Sequence, residues 1–170
     1  MRRLLATLAV TTCLLTSVPA VTWANGLSGL TLFGGIKREN QLSYRLDFGG
    51  QRNAWDRYRL RIPQKKMSLA AAKFIVAYPS HFKGEFDPKK VEIRVKGKAV
   101  PLSDVEWNKQ DRAISIYPKE PVAAGNAVEL VFSNVQNPPF GGMFYFNCMI
   151  QTPGDVPLPR YLGTWQIDVQ

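Results

Sequence analysis

The chain has 170 residues, 45% hydrophobic and 21% charged, with 22 Lys+Arg against 13 Asp+Glu for a formal charge of +9. That length fits one domain with a full hydrophobic core and requires no second. Two cysteines and one histidine exclude a disulfide framework and a His-rich metal site, and no cofactor is expected.

Met1-Arg2-Arg3 is followed by an uncharged apolar run from Leu4 to Val18 and then by small residues. Cationic, apolar and small-residue regions in this order are the layout of a secretory signal peptide, and the run falls short of the about 20 residues that a membrane span needs. Cleavage is expected after Ala24, with Thr22 at −3, or else after Ala20; an uncleaved anchor is the third reading. Cys13 follows Thr12 rather than the Gly or Ala of a lipid-attachment site, so it is leader filler. Residues 1–24 are thus assigned to the signal peptide, 25–40 to a lead-in and 41–170 to the folded domain. Losing residues 1–24 removes Arg2 and Arg3, which leaves 146 residues with 20 Lys+Arg against 13 Asp+Glu, a charge of +7. The expected location is the periplasm, cell envelope or exterior, with no transmembrane segment after cleavage.

From Leu42, Tyr44, Leu46 and Phe48 alternate with Arg45 and Asp47 before Gly49-Gly50, which predicts a strand and a turn. Tyr58, Leu60 and Ile62 alternate with Arg57, Arg59 and Arg61 up to Pro63, a strand with three arginines on one face. Residues 64–73 predict a surface loop with at most one or two helical turns, Ser68 being a candidate cap. Phe74–Tyr78, Val91–Val95, Ala113–Tyr117 and Ala127–Phe132 are further strands, separated by proline- and glycine-rich turns.

The turn cluster 137–142 leads into Met143–Ile150, expected to be a central strand. Its Cys148 shares parity with Phe144, Phe146 and Ile150 and is expected to be buried and inert. A loop containing Pro153, Gly154, Pro157 and Pro159 precedes a closing strand with Trp165, Ile167 and Val169 inward. About seven to nine strands without a long amphipathic helix predict an all-β, antiparallel, Ig-like β-sandwich.

Pro121-Val122-Ala123-Ala124-Gly125, then Asn137-Pro138 with Gly141-Gly142-Met143-Phe144-Tyr145-Phe146, then Leu162-Gly163-Thr164-Trp165 form an ordered set. Together they resemble the pattern of an uncharacterised family of exported cyanobacterial proteins, a domain-of-unknown-function family. The resemblance covers most of residues 40–169 and implies export, an all-β domain and no assigned activity; it supplies no catalytic residues.

No catalytic constellation emerges from the residues. His81 follows Pro79-Ser80 and reads as a loop residue, and its neighbour Ser80 is not positioned as a nucleophile for it. The pairs Asp104 with Glu106, and Asp47 with Asp56, are the acids from which a hydrolytic pair would have to be drawn, with solvated surface charge as the default. The basic residues carry the stronger signal. Arg57, Arg59 and Arg61 form one candidate anion-binding row, and Lys89, Lys90, Arg94, Lys96 and Lys98 a second cluster, against the reading that acidic neighbours pair with them. Trp55, Trp107 and Phe140 lie near turns or strand ends, where a ring can stack on a sugar or meet a lipid interface and so extend a basic site, against the reading that most of them pack in the core. The expected function is a non-enzymatic binding or structural module of the cell envelope. Its partner would be an anionic lipid, an acidic polysaccharide or an acidic envelope protein, not nucleic acid. An envelope-polymer hydrolase using a carboxylate pair is the alternative.

Overall fold

The computed structural model describes residues 36–154 and 158–170, so the signal-peptide reading of residues 1–24 lies outside the described residues, as does most of the lead-in. Eleven strands are present among the described residues: β1 (Gln41–Leu42), β2 (Tyr44–Leu46), β3 (Trp55–Ile62), β4 (Lys73–Ala77), β5 (Val91–Val95), β6 (Lys98–Val100), β7 (Leu102–Asn108), β8 (Ala113–Pro118), β9 (Val128–Gln136), β10 (Gly142–Gln151) and β11 (Arg160–Val169). Eight have five residues or more, and β1, β2 and β6 are stubs of two or three.

The strands form a six-stranded sheet in the order β1-β11-β10-β4-β8-β7 and a five-stranded sheet in the order β2-β3-β9-β5-β6. Every neighbouring pair is antiparallel except β1 with β11. The expected sandwich is therefore present. Period-two alternation sends Tyr58, Leu60 and Ile62 of β3 to meet Phe146 and Cys148 of β10 and Trp165 and Ile167 of β11, all fully buried between the sheets. The Trp165 indole also donates to the Arg61 carbonyl at 3.1 Å, a polar link between the sheets.

Four segments differ from the alternation read in the sequence. The single strand expected from Leu42 to Phe48 breaks at Ser43, so that β1 joins one sheet and β2 the other. Phe48 leaves the sheet altogether and is 61% exposed, because the carboxylate of Asp56 draws its amide and that of Gly50 into a turn. The chain changes sheets again at Pro101, between β6 and β7. There the missing proline amide removes a ladder hydrogen bond. Strand β7 itself carries a register shift between Leu102 and Asp104. Residues 64–72 hold one 3-10 turn, Gln64–Lys66, and no Ser68-capped helix. This segment is not wholly a surface loop, since Met67 and Ala71 are fully buried and Ala71 bridges Val122.

One end of the sandwich is closed by polar groups. The loop after β2 is tied to the last residue by Arg52 N to Gln170 O at 2.8 Å and Gln170 N to Gly50 O at 2.8 Å. It is tied to the loop after β9 by Asn53 N to Pro138 O at 3.1 Å and Asn137 N to Ala54 O at 2.9 Å. Asp56 and Asn137 are the buried polar side chains beneath these loops. Asp56 accepts the amides of Phe48, Gly50 and Arg57, while Asn137 accepts the Tyr58 hydroxyl and donates to the Gln51 carbonyl. Burial, with the charge of Asp56 second, pushes the Tyr58 phenol well above its ordinary range, so it remains a neutral donor.

Replacing Asp56 with Ala orphans three amides at once. Asp56→Ala is expected to lower stability by about 2–4 kcal/mol in urea unfolding and to speed amide exchange at Phe48 and Gly50 before that at β10 or β11. Unchanged exchange at these two amides would contradict the role given to Asp56.

Candidate anion-binding site

Strand β3 projects Arg57, Arg59 and Arg61 from the outer face of the five-stranded sheet, as its alternation requires. The row is not free. Asp47, carried over it by the turn after β2, lies 3.3 Å from Arg45, 3.7 Å from Arg57 and 2.9 Å from Arg59. Glu129 of β9 lies 3.3 Å from Arg59 and 3.2 Å from Arg61. Four guanidiniums are thus laced to two carboxylates, and the Asp47 hydrogen bond is the first cause that raises the Arg59 pKa above its ordinary value. A further anion approaching the row must compete with carboxylates that are already in place.

The second expected cluster is divided. Lys89 and Lys90 end a 3-10 turn at the start of β5, whereas Lys96 sits in the tight turn beyond its far end, with φ of 51°, and Lys98 opens β6. From Lys90 to Lys96 the chain covers about 20 Å at a strand rise of about 3.3 Å per residue. Arg94, between them, is bound to Glu92 at 2.8 Å.

The acids singled out as hydrolytic pairs are engaged elsewhere. Asp56 holds three amides, Asp47 holds arginines, Asp104 accepts the Val105 amide and Glu106 accepts the Tyr117 hydroxyl. His81 is an exposed turn residue stacked on Phe144 at 5.3 Å. No group of three or more His, Cys, Asp or Glu suited to a metal ion occurs among the described residues.

A different basic site lies between the loop after β4 and the turn joining β7 to β8. There a cleft of about 380 Å³ is lined by Ser80, Lys83, Glu85, Trp107, Lys109 and Arg112, among others. Among the described residues none of Lys83, Lys109 and Arg112 makes an ion pair, and all three are exposed. The Lys109 ammonium stands 4.3 Å from the Trp107 ring centroid, a cation–π contact. The ring is fixed from below: its Nε1–H donates to the Tyr78 hydroxyl at 2.8 Å, and Phe86 meets it edge-on at 5.5 Å. Phe82 and Phe86, from the loop after β4, are buried with Tyr78 and Phe146 in one aromatic cluster. Sequence reading singled out Trp107 as a ring that can stack but missed the cations around it, because Lys83, Lys109 and Arg112 come from two separate turns and none shares a strand face with another. The spacing of Phe82 and Phe86 in a segment without alternation was the available signal that the loop is anchored in the core.

Cys148 is fully buried, and burial pushes its thiol far above the ordinary range. In the folded protein at pH 8 it is expected to resist a thiol reagent that labels it promptly in denaturant. Stoichiometric labelling of the folded state would contradict the packing described for β10. Likewise, neutralising Asp47 and Glu129 by Asp47→Asn with Glu129→Gln should release the arginine row, so that the variant elutes from a sulfated resin at higher salt. The control, Asp104→Asn with Glu106→Gln, makes the same charge change and should shift elution less.

Residues 30–169 match the family described as "Protein of unknown function (DUF2808)", and the chain belongs to this family. No curated protein matches the sequence. Among solved structures, the bacterial hydrophobin BslA is similar at 14% identity and a TM-score of 0.50, covering 76% of this chain and 97% of that one. A collagen-binding domain from a Staphylococcus aureus adhesin is similar at 10% identity and 0.44, covering 75% and 95%. An uncharacterized protein from Nocardia farcinica with an immunoglobulin-like fold is similar at 12% identity and 0.42, covering 76% and 97%. What is shared is the fold, an all-β, Ig-like sandwich of two sheets.

Proposed function

We propose that this DUF2808-family domain is an exported, non-enzymatic module that binds an anionic partner of the cell envelope, through the Trp107 cleft rather than the arginine row. Export rests on the order of cationic, apolar and small residues over 1–24. The observation that carries the choice of site is the contrast in pairing. Arg57, Arg59 and Arg61 are each within reach of Asp47 or Glu129, whereas Lys83, Lys109 and Arg112 have no carboxylate partner among the described residues. The three surround an aromatic floor and, among the described residues, share the cleft with one acid, Glu85. Ammonium and guanidinium groups held at such a rim meet phosphate, sulfate or carboxylate without first breaking an internal ion pair.

A comparison at matched charge tests the site. Lys83→Ala, Lys109→Ala and Arg112→Ala together remove three positive charges, as do Arg57→Ala, Arg59→Ala and Arg61→Ala. Against polygalacturonate, polyglutamate and phosphatidylglycerol vesicles over a salt series, the first triple variant should lose more than about tenfold in affinity for whichever probe binds, and the second only a few-fold. Equal losses would show unspecific attraction by net charge and remove the cleft as the site. Release of shorter fragments from the polygalacturonate would overturn the non-enzymatic reading.

A further inference from the structure

Beside the Trp107 cleft lies a second one, of about 490 Å³, lined by Trp55, Glu85, Phe86, Asp87, Pro88 and Asn134. Glu85 lines both, so the two clefts meet at this residue. Their chemistry differs. Among the described residues, the second has no cation in its lining and two carboxylates, with Asp87 accepting the Lys89 amide at 3.0 Å and the Asn134 amide group at 3.4 Å. Trp55, at the start of β3, is 58% exposed there. Asn134 reaches the cleft from the irregular step in β9, where its φ is 57° and the pairing with β3 shifts register.

A ligand that spans both clefts therefore needs negative charge at one end and uncharged, hydrogen-bonding groups with an apolar face at the other. A bilayer of anionic lipid or a run of acidic residues fails this requirement, since it brings negative charge against Glu85 and Asp87 as well as against Lys83, Lys109 and Arg112. A sugar ring meets it. Its C–H face covers an indole, and its hydroxyls donate to carboxylates and pair with an amide.

Resting on the anion-binding reading of the Trp107 cleft, we propose that the partner is an acidic polysaccharide with alternating charged and neutral sugars. A carboxylated or sulfated sugar occupies the Trp107 cleft, and the adjoining neutral sugar stacks on Trp55 with its hydroxyls toward Glu85, Asp87 and Asn134. The chain crosses the ridge at Glu85, where one carboxylate serves both subsites.

Hyaluronan oligosaccharides, which alternate a uronate with a neutral amino sugar, and polyglutamate, which has the charge but no ring, are suitable probes. Titrated with the purified protein, hyaluronan should bind more tightly than polyglutamate at equal charge concentration. Trp55→Ala should weaken hyaluronan about tenfold and leave polyglutamate unchanged, while Lys109→Ala with Arg112→Ala should weaken both. Trp55 is exposed, so an unchanged thermal midpoint is expected to confirm that Trp55→Ala folds normally. The glycan proposal falls if Trp55→Ala leaves hyaluronan binding intact, or if polyglutamate or phosphatidylglycerol vesicles bind as tightly as hyaluronan. If instead the Lys109→Ala, Arg112→Ala variant binds both probes as well as the unaltered protein, the anion-binding reading falls with it.

Discussion

The carboxylate of Asp56 is the interaction on which the loop end of the sandwich and the arginine face of the five-stranded sheet depend. It is buried at the start of β3 and accepts three backbone amides. Two of these belong to the turn after β2, so the chain is bent out of the five-stranded sheet just beyond Leu46. Asp47 is carried over the arginines of β3 by that bend and neutralises them from 2.9 to 3.7 Å. A buried carboxylate that forms no ion pair among the described residues thus positions a second one that makes three. The polar surface that the five-stranded sheet would present to an anion is closed by the same turn that closes the loop end of the sandwich.

Opening of a site elsewhere follows from how the two sheets are joined. At Ser43 and at Pro101 a single residue separates a strand of one sheet from the next strand of the other, and each of these two crossings leaves a short strand in one sheet and continues in the other. The second crossing delivers β7 to the edge of the six-stranded sheet, with Trp107 near its end. The loop after β4 then anchors in the core through Phe82 and Phe86, and Glu85 between them bridges Gln136 at the end of β9. The two clefts are the spaces on either side of that anchored loop, and their walls come from both sheets. Among the described residues no disulfide holds them, and Cys148 is a free, buried thiol. Their geometry rests on apolar burial and on the Glu85–Gln136 bridge.

Legibility in the sequence tracks the range over which each interaction acts. Alternation in β3 and β11 was plain because facing and buried residues follow one another directly, and the burial of Tyr58, Leu60, Ile62, Trp165, Ile167 and Val169 agrees with it. Strand β7 was hidden because its register shift puts Leu102 out of step with Val105 and Trp107. Phe48 was misassigned to the strand because the group that withdraws it, Asp56, is eight residues further on. The arginine row was visible as three like charges at alternate positions, but its neutralisation depends partly on Glu129, which is 68 and 70 residues from its partners. Spacing announces a row of charges; only the fold says which counter-charges stand beside it.

A division of labour inside the Trp107 cleft follows from the same contrast between fixed and unpaired groups. The indole is held by a hydrogen bond to Tyr78 and by the edge of Phe86, both buried. Ordering it costs nothing further when a ligand arrives. Among the described residues Lys83, Lys109 and Arg112 have no ion pair to fix their long side chains, and each that becomes ordered on a ligand would cost about 0.5–1.5 kcal/mol of rotamer freedom. Lys109 begins over the Trp107 ring, so a ligand that takes its ammonium must also replace a cation–π contact. A ligand that brings both an anion for the ammonium and a face for the ring replaces what it displaces, whereas a bare anion draws Lys109 away and leaves the indole uncovered. On the proposed reading, the cleft would therefore discriminate by the group attached to the charge as well as by the charge itself.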